Sequence, residues 1–139
     1  MTIKEVSLDQ ILPIRQQVMW PDKHIDFVRV SEDEQGIHFG LFAEGNLISV
    51  VSVFIHGQEA QFRKFATLEQ YQGKGYGSRL LQYIFDFLEE KKVSRIWCNA
   101  RISKAGFYQK FGMNTTAAAF EKEGMEYVVM ERVFEKQGF

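Results

Sequence analysis

Three glycines at alternate positions mark the point where the chain changes from one periodicity to another. They stand in the segment Gln72-Gly73-Lys74-Gly75-Tyr76-Gly77-Ser78. The residues before it, Glu59–Thr67, have the alternating pattern of a strand. After it, residues 77 to about 92 are predicted to form an amphipathic helix, because apolar residues recur at helical spacing at Leu80, Leu81, Ile84, Phe85 and Leu88. Any fold must therefore place a tight, glycine-rich turn between a strand and a long helix.

A turn of this kind is suited to hold a pyrophosphate. The first N–H groups of a helix have no partner within the helix, and the helix dipole favours a negative charge there. Glycine lets the backbone approach a ligand closely, and Lys74, Ser78 and Arg79 can add side-chain contacts to phosphate. The dinucleotide fingerprint fits less well because its third glycine comes one residue later, and a P-loop needs Gly-Lys followed by Ser or Thr. A glycine-rich turn without a ligand is the simpler alternative.

The rest of the chain alternates between strand and helix signals. We expect Ser7 to cap a helix, Pro13 to restart that helix at its first turn and Pro21 to end it. Residues 22–36 are polar and predict a loop. The other predicted elements are a helix at Ser103–Phe111 and strands at Thr2–Val6, Ile37–Ala43, Leu47–Ile55, Val93–Ala100, Thr115–Phe120 and Tyr127–Phe134. The pattern predicts a mixed α/β fold in a single domain of residues 1–139.

Composition and charge exclude several classes of protein. The formal net charge of −1 gives no basic field for nucleic acid. The single cysteine, Cys98, excludes an intrachain disulfide and a multi-cysteine zinc site, and it agrees with a cytoplasmic location. The longest apolar run, Leu47–Ile55, is too short to cross a bilayer, and the first residues do not have the pattern of a signal peptide. We therefore expect no membrane partner and no metal.

Two motifs resemble those of a known enzyme superfamily. Residues 72–77 match Q/R-x-x-G-x-G/A, which resembles the acetyl-CoA signature of the GNAT acetyltransferases. Residues 105–113 resemble the family segment A-x-x-F-Y-x-K-x-G-F from Phe107 onward, with Ala105 one position nearer to that Phe and Met113 in place of the final Phe. The segment Trp97-Cys98-Asn99-Ala100-Arg101 resembles that of small bacterial members, and the resemblance covers essentially the whole chain. It implies the acyl-CoA N-acyltransferase fold: a mixed, mostly antiparallel sheet of about seven strands, splayed between the fourth and fifth, with three to four helices.

The resemblance also implies an activity and a set of site residues. The chain is expected to be an N-acetyltransferase that moves the acetyl group of acetyl-CoA to a primary amine by direct attack in a ternary complex. Tyr108 matches the family residue that protonates the departing thiolate, and its ordinary pKa near ~10 suits that role. The implied coenzyme-binding residues are Phe65, Ala66, Thr67, Gln72, Gly73, Lys74, Gly75, Tyr76, Gly77, Ser78, Asn99 and Tyr108.

The general base is less clearly indicated. Some family members carry a glutamate eleven positions before the signature, where this chain has Gln61. Glu59 shares the same face of the strand and is the candidate base in our prediction. His56 in the preceding turn has a suitable intrinsic pKa, and solvent can also take the proton. These three alternatives stay open at this point.

The acceptor and the alternatives to catalysis are also open. A small-molecule or peptide amine fits the resemblance, and the family builds its acceptor site from residues 20–36 and the last hairpin, where no motif fixes the chemistry. A coenzyme A-binding sensor with little catalysis is the main alternative, and a nucleotide-binding regulator is a third. Dimers are common among such folds, so a homodimer is included among the expectations.

Overall fold

The structure is a computed structural model that describes Met1–Phe134 and divides them into two compact units. The first unit contains Met1–Phe54 and Phe62–Phe87, and the second contains Ile55–Gln61 and the residues from Leu88 onward. The predicted domain of residues 1–139 includes 135–139, which lie outside the described residues. The helices are α1 (Leu8–Met19), α2 (Tyr76–Glu90) and α3 (Ala105–Gln109), and the strands are β1 (Thr2–Glu5), β2 (Ile37–Ala43), β3 (Asn46–His56), β4 (Glu59–Thr67), β5 (Arg95–Arg101), β6 (Asn114–Lys122) and β7 (Met125–Val133).

The strands follow the order β1-β2-β3-β4-β5-β7-β6 in a seven-stranded sheet. Pairing is antiparallel between β1 and β2, β2 and β3, β5 and β7, and β6 and β7. The parallel ladder between β4 and β5 contains three residue pairs, from Glu59 opposite Arg95 to Gln61 opposite Trp97. The predicted fold class, a mixed and mostly antiparallel sheet of about seven strands that is splayed between its fourth and fifth strands, is confirmed.

Helix α1 begins as predicted but does not restart at Pro13. The Ser7 side chain accepts from the Gln10 backbone N–H, and the Gln10 side chain accepts from the Ser7 backbone N–H, which together form a capping box. The helix then runs through Pro13 without interruption, so the predicted restart is wrong. Proline removes one intrahelical hydrogen bond, but burial of Ile11, Leu12 and Ile14 on one side of the helix keeps both halves in place.

Aromatic contacts join α2 to the sheet of the first unit. The ring of Phe39 lies 5.8 Å from that of Tyr83 and 5.1 Å from that of Phe87. Phe62 on β4 lies 6.1 Å from Phe85, ring centre to ring centre. The apolar stripe that predicted α2 is the face that it buries, and its buried residues are Leu80, Leu81, Ile84, Phe85 and Leu88.

The second unit is built on β5, β7 and β6. Ile96, Cys98 and Ala100 are the buried positions of β5, and they alternate with more exposed ones. The helix predicted at Ser103–Phe111 is shorter: a 3-10 turn at Ile102–Lys104 leads into α3, which contains five residues. The closing hairpin turns at the predicted Glu123-Gly124, where both residues have positive φ values.

Candidate active site

The glycine-rich segment forms an exposed turn whose three glycines are needed for two different reasons. Gly73 and Gly75 have φ values of 75° and 85°, in the left-handed region that favours glycine. Gly77 lies inside α2, and a Cβ there would be 3.1 Å from Cζ of Phe65 and 3.3 Å from Oγ1 of Thr67. The first two glycines therefore shape the turn, and the third lets the start of the helix pack against β4.

Side chains also hold the turn in place. Nε2 of Gln72 donates to the carbonyl oxygen of Thr67 at 2.8 Å, which ties the start of the turn to the end of β4. The rings of Tyr71 and Tyr76 meet edge to face at 6.1 Å, and Nζ of Lys74 lies 5.8 Å from the centre of the Tyr71 ring. The ammonium group of Lys74 therefore lies beside the turn.

The start of α2 supplies backbone donors. The N–H of Arg79 donates to the carbonyl oxygen of Gly75 at 3.1 Å, the first hydrogen bond of the helical pattern. The N–H groups of Tyr76, Gly77 and Ser78 precede that bond and belong to the first turn, which carries the positive end of the helix dipole. Donors of this kind, preceded by glycines and accompanied by a lysine, can bind the oxygens of a pyrophosphate.

Strand β4 contains a bulge that the sequence analysis did not predict. Phe62 and Phe65 both face α2, since Phe62 packs on Phe85 and Phe65 on Gly77. In a regular strand, residues three apart point to opposite faces. The extra residue is Lys64, whose φ of 56° places it in the left-handed region. The signal in the sequence was the spacing of the two phenylalanines, which breaks the alternation of a strand.

Tyr108 lies in the second unit, on α3, and is partly buried. Burial raises the pKa of the Tyr108 phenol above its ordinary value of 10.0; the nearby Cys98 raises it further, whereas Arg101 lowers it. The ring lies 5.3 Å from that of Phe107. A phenol with a raised pKa stays protonated at neutral pH, so Tyr108 has a proton to donate.

Two further residues of β5 were singled out from the sequence. Cys98 is buried, and burial raises the pKa of its thiol to about 12. It therefore stays a neutral thiol and is a poor nucleophile. Asn99 is exposed, opposite Val129 of β7 in the register, and it lies two residues beyond Trp97, where the parallel ladder ends.

The candidate base Glu59 is part of an ion-pair cluster. Its carboxylate accepts from the Arg95 guanidinium at 2.9 Å, and Glu131 accepts from the same guanidinium at 2.6 Å. Burial alone would lower the pKa of Arg95, but the hydrogen bonds to Glu131 and Glu59 raise it above its ordinary value. Glu59 thus shares a cation with a second carboxylate, while the alternative base His56 is exposed at the end of β3.

The first unit also contains a buried polar cluster that joins Arg15, Asp33, His38 and Ser52. Burial disfavours the charged form of Asp33, but hydrogen bonds from Arg15 and from the Val30 N–H outweigh it, so the pKa of that carboxyl lies below its ordinary 3.8. His38 is a buried histidine with both ring nitrogens in hydrogen-bond contact, one with Ser52 and the other with the Asp33 carbonyl. Its partners are 14 and 5 positions away, and Arg15 is farther still, so no local pattern indicated the cluster.

The structure thus places the site residues in two sets. The predicted coenzyme residues from Phe65 to Thr67 and from Gln72 to Ser78 belong to the first unit, where Thr67 contacts both Gln72 and the region of Gly77. Glu59, Asn99 and Tyr108 belong to the second unit.

Comparisons with known proteins found similar sequences and structures. A family model described as an acetyltransferase (GNAT) domain matches residues 16–134. The Bacillus subtilis protein named uncharacterized N-acetyltransferase YitI is 33% identical over 138 residues, covering 92% of this chain and 93% of that protein.

Solved structures share the fold. The ribosomal-protein-S18-alanine N-acetyltransferase from Escherichia coli has a TM-score of 0.82 at 22% identity, covering 99% of this chain and 96% of that one. A Bacillus subtilis acetyltransferase crystallised with CoA has a TM-score of 0.75 at 18% identity, covering 96% and 98%. In the part of the chain from Met1 to Phe134, no helix is long and apolar enough to cross a membrane.

Proposed function

The chain belongs to the GNAT acetyltransferase family and is an N-acetyltransferase that uses acetyl-CoA, and from this premise we propose which of its residues bind the coenzyme and move the proton. The alternative of a coenzyme A-binding module with little catalysis is not favoured by the comparisons. The observation that carries the proposal is the glycine-rich turn, which carries Lys74 and leads directly into the first-turn N–H groups of α2.

In the proposed complex the turn from Gly73 to Ser78 binds the pyrophosphate. Backbone N–H groups donate to the phosphate oxygens, the helix dipole favours their charge, and Lys74 adds a cation. Gln72 acts on the turn itself, because its side chain is bonded to Thr67. The backbone of Phe65, Ala66 and Thr67 binds the pantetheine arm in the manner of an added strand, and Asn99 contacts the coenzyme from β5.

The proposed chemistry is a direct transfer. The amine nitrogen attacks the thioester carbonyl carbon, the C–S bond breaks, and the thiolate leaves. Tyr108 donates its phenolic proton to that thiolate, and its partly buried position keeps the proton in place until then. The amine loses its own proton to a base. Glu59 stays the candidate base. Protonation of its carboxylate would weaken its ion pair with Arg95, and solvent is the alternative base.

The proposed acceptor is a primary amine on a small molecule or a peptide. The E. coli structural neighbour acts, by its name, on an alanine of a ribosomal protein, which makes peptide amines worth including among the acceptors tested. The proposal also includes a cytoplasmic location, where Cys98 would stay a free thiol, and a homodimer, which sedimentation of the purified protein would test.

Thiol release from acetyl-CoA, measured across a panel of alkylamines, amino acids and peptides, tests the activity. We predict that Tyr108→Phe lowers kcat by about a hundredfold or more, since general acids contribute about 10² to 10⁴, while the affinity for CoA stays within about twofold because the phenol is not part of the pyrophosphate turn. Tyr83→Phe on α2 is the matched control and should leave kcat unchanged.

If Tyr108→Phe were as active as the wild type, Tyr108 would not be the acid. If no amine in the panel released thiol while CoA still bound, the module without catalysis would replace the enzyme. ATP and NAD serve as competitors that should not displace the coenzyme.

A further inference from the structure

Arg15 is a fully buried arginine with four hydrogen bonds to groups outside its own helix. Nη1 donates to the carbonyl oxygen of Val28 at 3.0 Å and to Oδ2 of Asp33 at 2.9 Å. Nη2 donates to Oδ1 of Asp33 at 2.9 Å and to Oγ of Ser52 at 2.8 Å. The guanidinium and the carboxylate thus form a two-pronged ion pair, with 0% and 4% of their side chains exposed.

His38 joins the same cluster through both of its ring nitrogens. Nε2 of His38 faces the carbonyl oxygen of Asp33 at 2.9 Å, and a carbonyl only accepts, so Nε2 carries a proton. Oγ of Ser52 accepts from Arg15 and also lies within hydrogen-bond distance, 2.7 Å, of Nδ1 of His38. Among buried side-chain polar atoms from Met1 to Phe134, Nε of Arg15 has no partner.

The cluster fixes the segment between α1 and β2, residues 20–36, which we call the connector. Asp33 belongs to the connector, and its Oδ2 also accepts from the N–H of Val30 at 2.9 Å. At the start of the connector, Nε2 of Gln16 donates to the carbonyl oxygens of Pro21 and Lys23 at 3.1 and 3.0 Å. Two neighbouring residues of α1 therefore hold the connector: Gln16 at its start and Arg15 near its end.

The connector in turn holds β4 at its bulge. Glu32, the residue before Asp33, accepts from Nη1 of Arg63 at 3.1 Å. The Arg63 guanidinium also lies 5.9 Å from the centre of the Phe54 ring. Arg63 directly precedes Lys64, the bulge residue with a φ of 56°. A continuous series of contacts thus runs from Arg15 through the connector to the bulge.

We propose that Arg15, Asp33, Glu32 and Arg63 are positioning residues that set the bulge of β4 for catalysis. The inference rests on the proposed function, in which the backbone after the bulge binds the pantetheine arm, and it adds that a backbone N–H of the same segment polarises the thioester carbonyl. A non-glycine residue in the left-handed region is strained and persists only when its surroundings hold it. The buried ion pair with Arg15 fixes Asp33 in place. The adjacent Glu32 then holds Arg63 of β4 through the second ion pair. A small displacement of such an N–H lowers the rate of reaction more than it lowers binding.

Glu32→Gln is the main test, because it breaks the link to Arg63 at the surface and leaves the buried ion pair intact. The expected result is a fall in kcat of about two- to fivefold, the range of an exposed ion pair, with the affinity for CoA and the melting temperature unchanged. Arg63→Gln should have the same effect, and the double variant should add nothing. Arg63→Lys should restore most of the rate. The matched control is Glu34→Gln, an exposed carboxylate of the same connector.

Hydrogen exchange at the amides of residues 64–67 gives a second readout that needs no acceptor. Glu32→Gln should speed exchange there, and Glu34→Gln should not. Equal kcat and equal exchange in the two variants would overturn the inference while leaving the enzyme as proposed. If no amine is acetylated, the proposed activity fails separately, and the exchange experiment still decides whether the connector holds the bulge. An effect of Glu32→Gln that is fully additive with Arg63→Gln would also contradict it.

Discussion

The glycine-rich turn and the Arg15 cluster are two polar regions of the same compact unit, built in opposite ways. The turn contains seven consecutive residues, lies largely exposed, and owes its shape to backbone conformation at Gly73 and Gly75. The cluster joins residues up to 37 positions apart, is buried, and owes its geometry to charge and hydrogen bonding. The difference teaches that the turn leaves its polar groups accessible to a ligand, whereas the cluster uses its polar groups to hold the fold and, as we propose, the bulge of β4. Substitutions should therefore separate coenzyme affinity from stability.

The largest expected effect is on stability, from Asp33→Asn. Removing the carboxylate leaves the Arg15 guanidinium buried without its counter-charge, and breaking a buried pair typically costs about 3–5 kcal/mol. Urea unfolding at pH 7 measures this. Asp26→Asn is the matched control, since Asp26 forms an exposed pair with Arg29 and should change stability by less than about 1 kcal/mol. If the two variants lost similar amounts of unfolding free energy, the buried cluster would be no more important for stability than the exposed ion pair.

The next effect is on affinity, from Gly75→Ala. A Cβ at this position has no neighbour within 4 Å, so the cost comes from the φ of 85° and not from packing. A side chain in the left-handed region costs about 1–2 kcal/mol, which should weaken CoA binding by about five- to thirtyfold. The control is Gly106→Ala on α3, which also meets no neighbour within 4 Å. Calorimetric titration with CoA distinguishes the two variants. Equal affinities of Gly75→Ala and Gly106→Ala for CoA would mean that the turn does not bind the coenzyme.

The smallest effect is on the pH dependence of folding. The pKa of Asp33 is lower in the folded chain than its ordinary 3.8, so its contribution to stability is present above that value and is lost as the pH falls through it toward the folded pKa. The free energy of unfolding of the wild type should fall more steeply below pH 4 than that of Asp33→Asn. If the free energies of unfolding of the two proteins fell equally steeply below pH 4, Asp33 would not be held as an anion.

Much of the first region could be predicted from sequence because its causes are local. Alternate glycines between a strand pattern and a helix pattern specify the turn, and the apolar spacing of α2 gave its position to within two residues of the observed end at Glu90. The strands of the confirmed sheet follow in the same way from alternating patterns and short turns, whereas its splay between the fourth and fifth strands was implied by the family resemblance. The roles predicted for Tyr108, Asn99 and Glu59 stay predictions.

What could not be predicted depends on tertiary contacts. Pro13 was expected to restart a helix, but burial on the opposite side of α1 overrides the preference. The bulge at Lys64 shows only as a break in alternation, and the partners of Arg15 lie on a connector and a strand that folding alone brings together. Glu59 had the residue type of a base, but its ion pair with Arg95 is visible only in three dimensions.

Calorimetric titration of the purified chain with CoA is the most direct test of the central claim, that the amides at the start of α2 bind a coenzyme diphosphate. The account predicts saturable uptake of one CoA per chain that Gly75→Ala weakens and Gly106→Ala does not. Absence of any binding by the wild type, with the protein shown to be folded, would contradict it.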